Sequence, residues 1–405
     1  MTVLDELIQE LCPDGVKYKA LGEICKLVTG ATPSKTNAAY WENGTIPWMS
    51  SGEVNLKRVA ATEKKITQLG YEKNSTTIVP KHSVVIALAG QGKTRGKAAI
   101  TEIELCTNQS LCSMICNENL DYKFLYYILD GKYEELRAIS NGDGTRGGLS
   151  LKILAPYKIP VPPLPVQREI VRILDNFTEL TAELTAELTA RKQQYAYYRD
   201  KLLSTNNSSV PVVELRDIVK KSCSGATPAK GNAEYYENGT IPWIRTQDVR
   251  FNEITEVNSY ITEKAVSETA TKWIPENCVI VAISGATAGR CAINKIKATT
   301  NQHCLNLIID DSMALYRYVF HCLCSKYEEL ISRKQGARGD LNSSLILSLP
   351  IPIPSLEVQK RLVEVLDNFD AICSDLKIGL PAEIEARQKQ YEYYRDKLLT
   401  FTPAD

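Results

Sequence analysis

The chain has 405 residues, long enough for two or three domains with genuine hydrophobic cores. Hydrophobic residues make up 44%, charged residues 24%, and 48 Lys+Arg balance 48 Asp+Glu, which excludes both a disordered chain and a molecule-wide basic field. Any contact with nucleic acid must therefore come from local patches.

The first residues, Met1-Thr-Val-Leu-Asp-Glu-Leu, carry acids where a secretory leader needs a basic segment and then an apolar run. No stretch approaches the roughly 18 apolar residues of a membrane helix, so a soluble, cytoplasmic protein without a membrane partner is expected. Twelve cysteines and three histidines contain no Cys-x2-Cys spacing. In a reducing compartment the cysteines are expected to be buried free thiols, with no metal site.

Thr29–Trp48 reads TGATPSKTNAAYWENGTIPW, and Ser224–Trp243 reads SGATPAKGNAEYYENGTIPW, identical at fifteen of twenty positions at an offset of 195. Further matches follow in order: Thr107-Asn-Gln with Thr300-Asn-Gln, Lys132-Tyr-Glu-Glu-Leu with Lys326-Tyr-Glu-Glu-Leu, and Tyr197-Tyr-Arg-Asp-Lys-Leu-Leu with Tyr393-Tyr-Arg-Asp-Lys-Leu-Leu. The chain is one unit written twice. Positions shared by both copies cannot distinguish two different ligands, so the Gly-Ala-Thr-Pro, Glu-Asn-Gly-Thr-Ile-Pro-Trp and Asn-Gln motifs are expected to be scaffold or backbone contacts.

Divergence is sharpest just after the shared tryptophan, where Met49-Ser-Ser-Gly-Glu-Val-Asn faces Ile244-Arg-Thr-Gln-Asp-Val-Arg. Ser50, Ser51 and Asn55 in the first copy, and Arg245, Gln247, Asp248 and Arg250 in the second, carry the short hydrogen-bonding groups or the forks that read base edges. The strand-like run Val84-Val-Ile-Ala-Leu leads into Gln91-Gly-Lys93-Thr-Arg95-Gly-Lys97, three cations without an acid on a glycine-rich turn. Lys93, Arg95 and Lys97 are candidate phosphate contacts there, with Gln91 a further base-reading candidate. Arg290 keeps one of these charges in the second copy, and Arg146 and Arg338 form a matched pair in Gly-x-Arg-Gly turns. An alternative is a nucleotide-binding loop using Lys93 and Thr94. It is weakened by the β-branched segment that follows, since such a loop must open a helix, and by the lack of Gly-Lys-Thr in the second copy.

A proline-rich hinge, Ile159-Pro-Val-Pro-Pro-Leu-Pro in the first copy and Leu349-Pro-Ile-Pro-Ile-Pro in the second, ends each α/β globule, and a helical period follows. From Val166 to Leu203 such a helix would be about 57 Å long, too long to bury in one domain. Its apolar stripe includes Leu180, Leu184 and Leu188, and the matching stripe of the second copy includes Leu376, Leu380 and Ile384. The expected fold class is α+β: two tandem α/β globules alternating with two long helices that pair as an antiparallel coiled coil with a pseudo-two-fold. The expected segments are a globule over 1–160, a central helix over 161–207, a second globule over 208–350 and a terminal helix over 351–405. Gly379-Leu-Pro381 should kink or restart the second helix. Thr181-Ala-Glu-Leu and Thr185-Ala-Glu-Leu repeat within the first, with 20 positions from Phe177 to Tyr197 against 24 from Phe369 to Tyr393.

These motifs, Gly-x-Thr-Pro-Ser/Ala-Lys and Ile-Pro-Trp in the globules, Val-Gln, Leu-Asp-Asn-Phe and Tyr-Tyr-Arg-Asp in the helices, resemble the DNA specificity subunits of type I restriction-modification systems over essentially the whole chain. The Thr-Ala-Glu-Leu units resemble those of the subgroup in which repeat number sets half-site spacing. The resemblance implies a non-catalytic adaptor whose two target-recognition domains read a bipartite, asymmetric target in double-stranded DNA. It also implies two methyltransferase (modification) subunits docked on the helices and, through them, restriction/motor subunits. S-adenosylmethionine, ATP and Mg would reside on those partners and no cofactor in this chain. A standalone or degenerate DNA-binding relative is the other reading of the same motifs.

Overall fold

The two copies of the repeat fold into the same succession of sheets in the computed structural model, which describes residues 2–90, 94–140, 148–204, 209–333, 340–374 and 377–404. In the first copy a five-stranded sheet has the order Cys25–Thr29, Leu111–Cys116, Val84–Ala87, Ala98–Thr101, Arg58–Val59. The second copy repeats it with Val219–Ser224, Cys304–Ile309, Val279–Ala282, Cys291–Asn294 and Asn252–Ile254. A second, four-stranded sheet runs Lys64–Ile66, Ile46–Met49, Leu105–Thr107, Ile78–Val79, and its counterpart runs Tyr260–Ile261, Ile241–Ile244, Ala298–Thr300, Trp273–Ile274. Both sheets mix parallel and antiparallel pairs, as the β-branched runs broken by Gly, Asn and Pro suggest.

Val84–Ala87 is buried at every position, which is why it reads as an unbroken apolar run rather than an alternating one. Its covering helix, Tyr122–Gly131, starts where the Asp121 carboxylate accepts the N–H groups of Lys123 and Phe124, satisfying two orphan donors. Phe124, Leu125, Ile128 and Leu129 then pack with Val84, Ile86, Ile100 and Met114, each such burial contributing roughly 1.5–3 kcal/mol.

The proline hinges are strands rather than bare linkers. Lys158–Pro160 pairs antiparallel with Tyr18–Ala20, and Pro350–Pro352 with Val212–Glu214. Two-stranded ribbons tolerate proline because its missing N–H can face outward. The central helix then runs unbroken over Leu164–Leu202, 39 residues, with Pro165 in its first turn, where the lost donor costs nothing. The second helical segment is interrupted as expected: Leu356–Ser374 ends, and Leu380–Leu398 starts anew with Pro381 as its second residue.

Residues 1–184 with 384–405 form one compact unit and 185–383 the other. Each contains one globule, the start of the helical segment that follows it and the end of the other helical segment. In the first unit Phe177 stacks on Tyr394 at 5.5 Å, and the buried Tyr391 lies 6.5 Å from Tyr127. In the second, Tyr198 lies 6.4 Å from Phe369 and the Tyr195 hydroxyl is 3.3 Å from Nδ1 of His321. Along the stripe Ile170 and Leu174 are buried, Leu184, Leu188, Leu380 and Ile384 are half-buried, and Leu180 is exposed. Leu376 lies outside the described residues.

All twelve cysteines are free, and ten of them are buried. Burial pushes the thiols of Cys112, Cys278, Cys304 and Cys322 up to about 12, so they act as small protonated hydrophobes.

Candidate nucleic-acid interface

The repeated motifs hold one another. A Cβ on Gly30 would sit 1.7 Å from the carbonyl oxygen of Thr107, and one on Gly225 1.8 Å from that of Thr300. Only glycine permits that approach. Trp48 donates its indole N–H to Ala31 O at 2.9 Å, and Trp243 donates to Ala226 O at 3.1 Å. Thr32 hydrogen-bonds Gln109 and Thr227 hydrogen-bonds Gln302. Asn43 and Asn238 both take the left-handed conformation, at φ 59° and 56°, which Asn tolerates better than most residues. The shared motifs thus form a rigid frame that presents whatever follows the tryptophan.

In the first globule that segment is the short 3-10 turn Ser51–Leu56. Glu53 folds back to accept both the N–H and the hydroxyl of Ser50, at 2.6 and 2.8 Å, leaving the Ser50 lone pairs as acceptors. Ser51 is half-buried at the start of the turn. Asn55 donates to Gly52 O and accepts from Lys97 Nζ at 2.8 Å. A candidate base reader and a candidate phosphate contact, 42 residues apart, are therefore joined directly. Lys97 is positioned by Gly96, left-handed at φ +85° and packed beside Tyr133 and Arg137, and Arg95 is half-buried next to it. The chain after Thr94 enters the strand Ala98–Thr101, so no helix N-terminus stands where a nucleotide loop needs one. Gln91, Lys93, Arg146 and Arg338 lie outside the described residues.

The second globule builds the same corner with different side chains. The turn Thr246–Asp248 lies against the turn Gly285–Thr287, which follows the strand Val279–Ala282. Asp248 accepts the N–H of Arg245 at 2.8 Å, so its carboxylate fastens the turn. The Arg245 guanidinium lies 5.8 Å from the Trp243 ring centroid. Arg250 donates from Nε to Gln247 O at 2.6 Å, and the Gln247 carboxamide is exposed. Arg290 follows Gly289, left-handed at φ +90° beside Tyr327, and occupies the place of Lys97. Among the described residues, the Nε atoms of Arg245 and Arg290 are buried without a hydrogen-bond partner. An unmet buried donor costs about 1–3 kcal/mol, which an anionic oxygen brought to the guanidinium would recover.

The helix-borne motifs have roles of a different kind. Gln167 is fully buried; it accepts the N–H of Asp121 at 2.8 Å and donates to Asn119 O and Pro162 O at 2.9 and 2.7 Å. Gln359 repeats the clamp with Leu315, Met313 and Pro354. Asp175 accepts from Lys123 Nζ and the Tyr127 hydroxyl, both at 2.6 Å, while Asp367 accepts from Arg317 and from His321. Burial would raise the Asp367 carboxyl, but hydrogen bonds from His321 and Arg317 outweigh it and hold it below the ordinary carboxylate value. Val-Gln and Asp-Asn-Phe were legible as repeats, but apart from Pro162 and Pro354, five residues away, the partners named here lie 44 to 52 residues away and no sequence spacing marks them. Among the described residues no cluster of three His, Cys, Asp or Glu side chains is placed to hold a metal ion, and no helix is long and apolar enough to cross a membrane.

The family model described as the type I restriction modification DNA specificity domain matches residues 13–191 and again residues 207–386. The chain is 33% identical over 415 residues to the type I restriction enzyme EcoR124I/EcoR124II specificity subunit of Escherichia coli, covering 99% of this chain and 97% of that protein. It is 26% identical to the MjaIX specificity subunit of Methanocaldococcus jannaschii, over 90% and 88% of the two chains. Among solved structures, a chain from a study of type I R-M complex assembly and conformational transition aligns over 96% of this chain and 98% of its own, with a TM-score of 0.70 at 16% identity. The S subunit from M. genitalium aligns over 95% and 96%, with a TM-score of 0.54 at 15% identity.

Proposed function

The chain belongs to the type I restriction-modification DNA specificity family, a non-catalytic DNA-recognition subunit by that membership, and on this premise we propose that it reads a bipartite, asymmetric target in double-stranded DNA. One observation carries the asymmetry: two frames with the same internal hydrogen bonds present different side chains at the same corner. Ser50 and Lys97 stand in the first globule where Arg245 and Arg290 stand in the second. A frame with equal geometry and unequal readers selects unequal half-sites. In each corner the glycine-rich loop supplies phosphate contacts and the turn after the tryptophan supplies base contacts.

The segments then act as a target-recognition domain over 1–160, a spacer helix over 161–207, a second target-recognition domain over 208–350 and a terminal helix over 351–405. Exposed apolar side chains on the helices, Tyr197, Leu202, Val365, Ile372 and Tyr393, offer the surface on which two methyltransferase subunits dock, with restriction/motor subunits recruited through them. S-adenosylmethionine, ATP and Mg belong to those partners in this scheme, which operates in the cytoplasm. The Thr-Ala-Glu-Leu units set the spacing between half-sites: each four-residue unit adds about 6 Å of helix, one to two base-pair steps at about 3.4 Å each.

The test is a genome-wide map of methylated bases with and without this gene. Loss of one asymmetric bipartite motif on deletion is expected, and an extra Thr-Ala-Glu-Leu unit inserted after Leu188 should lengthen its spacer while leaving both half-sites intact. A methylation map that is unchanged by deletion, in a strain whose methyltransferase partners are active, overturns the proposal.

A further inference from the structure

Beside the reading corner of the first globule lies an open cleft of about 420 Å³ lined by Lys35, Trp41, Glu63, Lys64 and Lys65. Lys35, Lys64 and Lys65 are exposed, and among the described residues no carboxylate lies within ion-pair distance of any of the three. The cleft is built rather than incidental. Trp41 donates its indole N–H to Ser34 O at 3.0 Å, which fixes the turn that carries Lys35. Its ring meets Trp48 edge-on at 5.1 Å and 88°. Lys64 and Lys65 sit on the edge strand Lys64–Ile66, paired with Ile46–Met49 so that Lys64 lies opposite Trp48.

Two links tie this cleft to the reading turn. Trp48 lies two residues before Ser50 on the strand that delivers it, and the N–H of Glu63 donates to Glu53 Oε1 at 3.0 Å inside the turn Ser51–Leu56. The backbone segments that carry the lysines are thus tied to the turn that carries the candidate base readers. A duplex presents one phosphate per strand about every 3.4 Å along its axis, so phosphates flanking a base read from the Ser50–Asn55 turn pass such a neighbouring cationic edge. The second globule keeps only the first of the three lysines, as Lys230: Ser259 and Tyr260 replace Lys64 and Lys65 in the register, Tyr236 replaces Trp41, and the nearby Lys264 is neutralised by Glu234.

Resting on the DNA-reading function proposed above, we propose that the Trp41 cleft is a duplex-backbone contact peculiar to the first globule. Its lysines neutralise phosphates flanking that globule's half-site, so the two globules contribute unequally to the salt dependence of binding.

The experiment uses the full chain assembled with its methyltransferase subunits and a duplex carrying the methylated target, with a scrambled duplex as reference, titrated by fluorescence anisotropy from low to moderate salt. For Lys35→Ala/Lys64→Ala/Lys65→Ala the plot of log affinity against log salt should flatten by about two to three. Affinity should fall by the same factor for target and scrambled duplex, and the melting temperature should stay at the wild-type value because all three side chains are exposed. The single change Trp41→Tyr, the residue of the second copy, should weaken binding without altering the sequence preferred. If the triple variant keeps the wild-type slope and affinity while wild-type protein discriminates target from scrambled DNA, the cleft has no DNA role and the lysines only guard a sheet edge against pairing; the DNA-reading function then still stands. If wild-type protein discriminates no duplex at all, the function itself falls, and the cleft proposal with it.

Discussion

Arg317 holds Asp367 by two parallel hydrogen bonds, from Nε to Oδ2 and from Nη2 to Oδ1, each 2.7 Å long. The arginine belongs to the helix Tyr316–Ser325 on the second globule and the aspartate to the helix Leu356–Ser374. His321 Nε2 adds a third contact to the same carboxylate at 2.8 Å. The joint between globule and helix is therefore electrostatic as well as apolar, and it depends on ionised Asp367.

The pH dependence has a definite sign. The Asp367 carboxyl is depressed in the folded chain, so its contribution is present above the unfolded value of about 3.9 and is lost as pH falls through the lower folded value. Asp367→Asn should cost about 2 kcal/mol at neutral pH. The gap between variant and wild type in urea unfolding should narrow below about pH 4. An equal gap at pH 3 and pH 7 would show that packing, not charge, carries the joint.

Asp370, three residues on, behaves oppositely: burial raises its carboxyl above the ordinary value. Ionising it at neutral pH opposes folding, so Asp370→Asn should raise the melting temperature of the full chain at pH 7 and have little effect near pH 3. A lower melting temperature at pH 7 would contradict the sign.

Removal of the fully buried Gln167 carboxamide takes one hydrogen-bond partner from the Asp121 N–H and from the carbonyls of Asn119 and Pro162. Gln167→Ala should destabilise by about 2–3 kcal/mol, measured by chemical denaturation. Gln167→Glu keeps the acceptor and loses both donors, and should also destabilise.

Gly30 and Gly52 differ in what a methyl group meets. At Gly30 a Cβ collides with the backbone of Thr107, while at Gly52 it meets only Ser50 Oγ at 3.9 Å. Gly30→Ala should cost several kcal/mol, on the order of a severe core change, and lower the yield of folded protein. Gly52→Ala should melt within a few degrees of wild type.

Arg245→Ala tests half-site reading directly. Discrimination at the affected base should fall by about 1–3 kcal/mol, seen in a methylation map as degeneracy confined to one half-site. Degeneracy in both halves would place Arg245 outside base recognition.

Much of this was written in local pattern. The internal repeat, the long central helix and the restart at Pro381 are written in motifs and periods that need no distant partner, and the structure bears them out. The divergent turn after the tryptophan was legible because two copies in one chain act as each other's control.

What sequence alone determined, then, is the twofold plan and the family, since both rest on motifs that survive in linear order. Only tertiary structure decided which residues share a corner: that Asn55 meets Lys97, that Gln167 clamps Asp121, and that Lys64 and Lys65 line up beside Trp41 at a sheet edge. Those contacts join segments separated by tens of residues through strand pairing and close packing. The energies that select them arise from burial and desolvation, quantities a linear pattern does not contain.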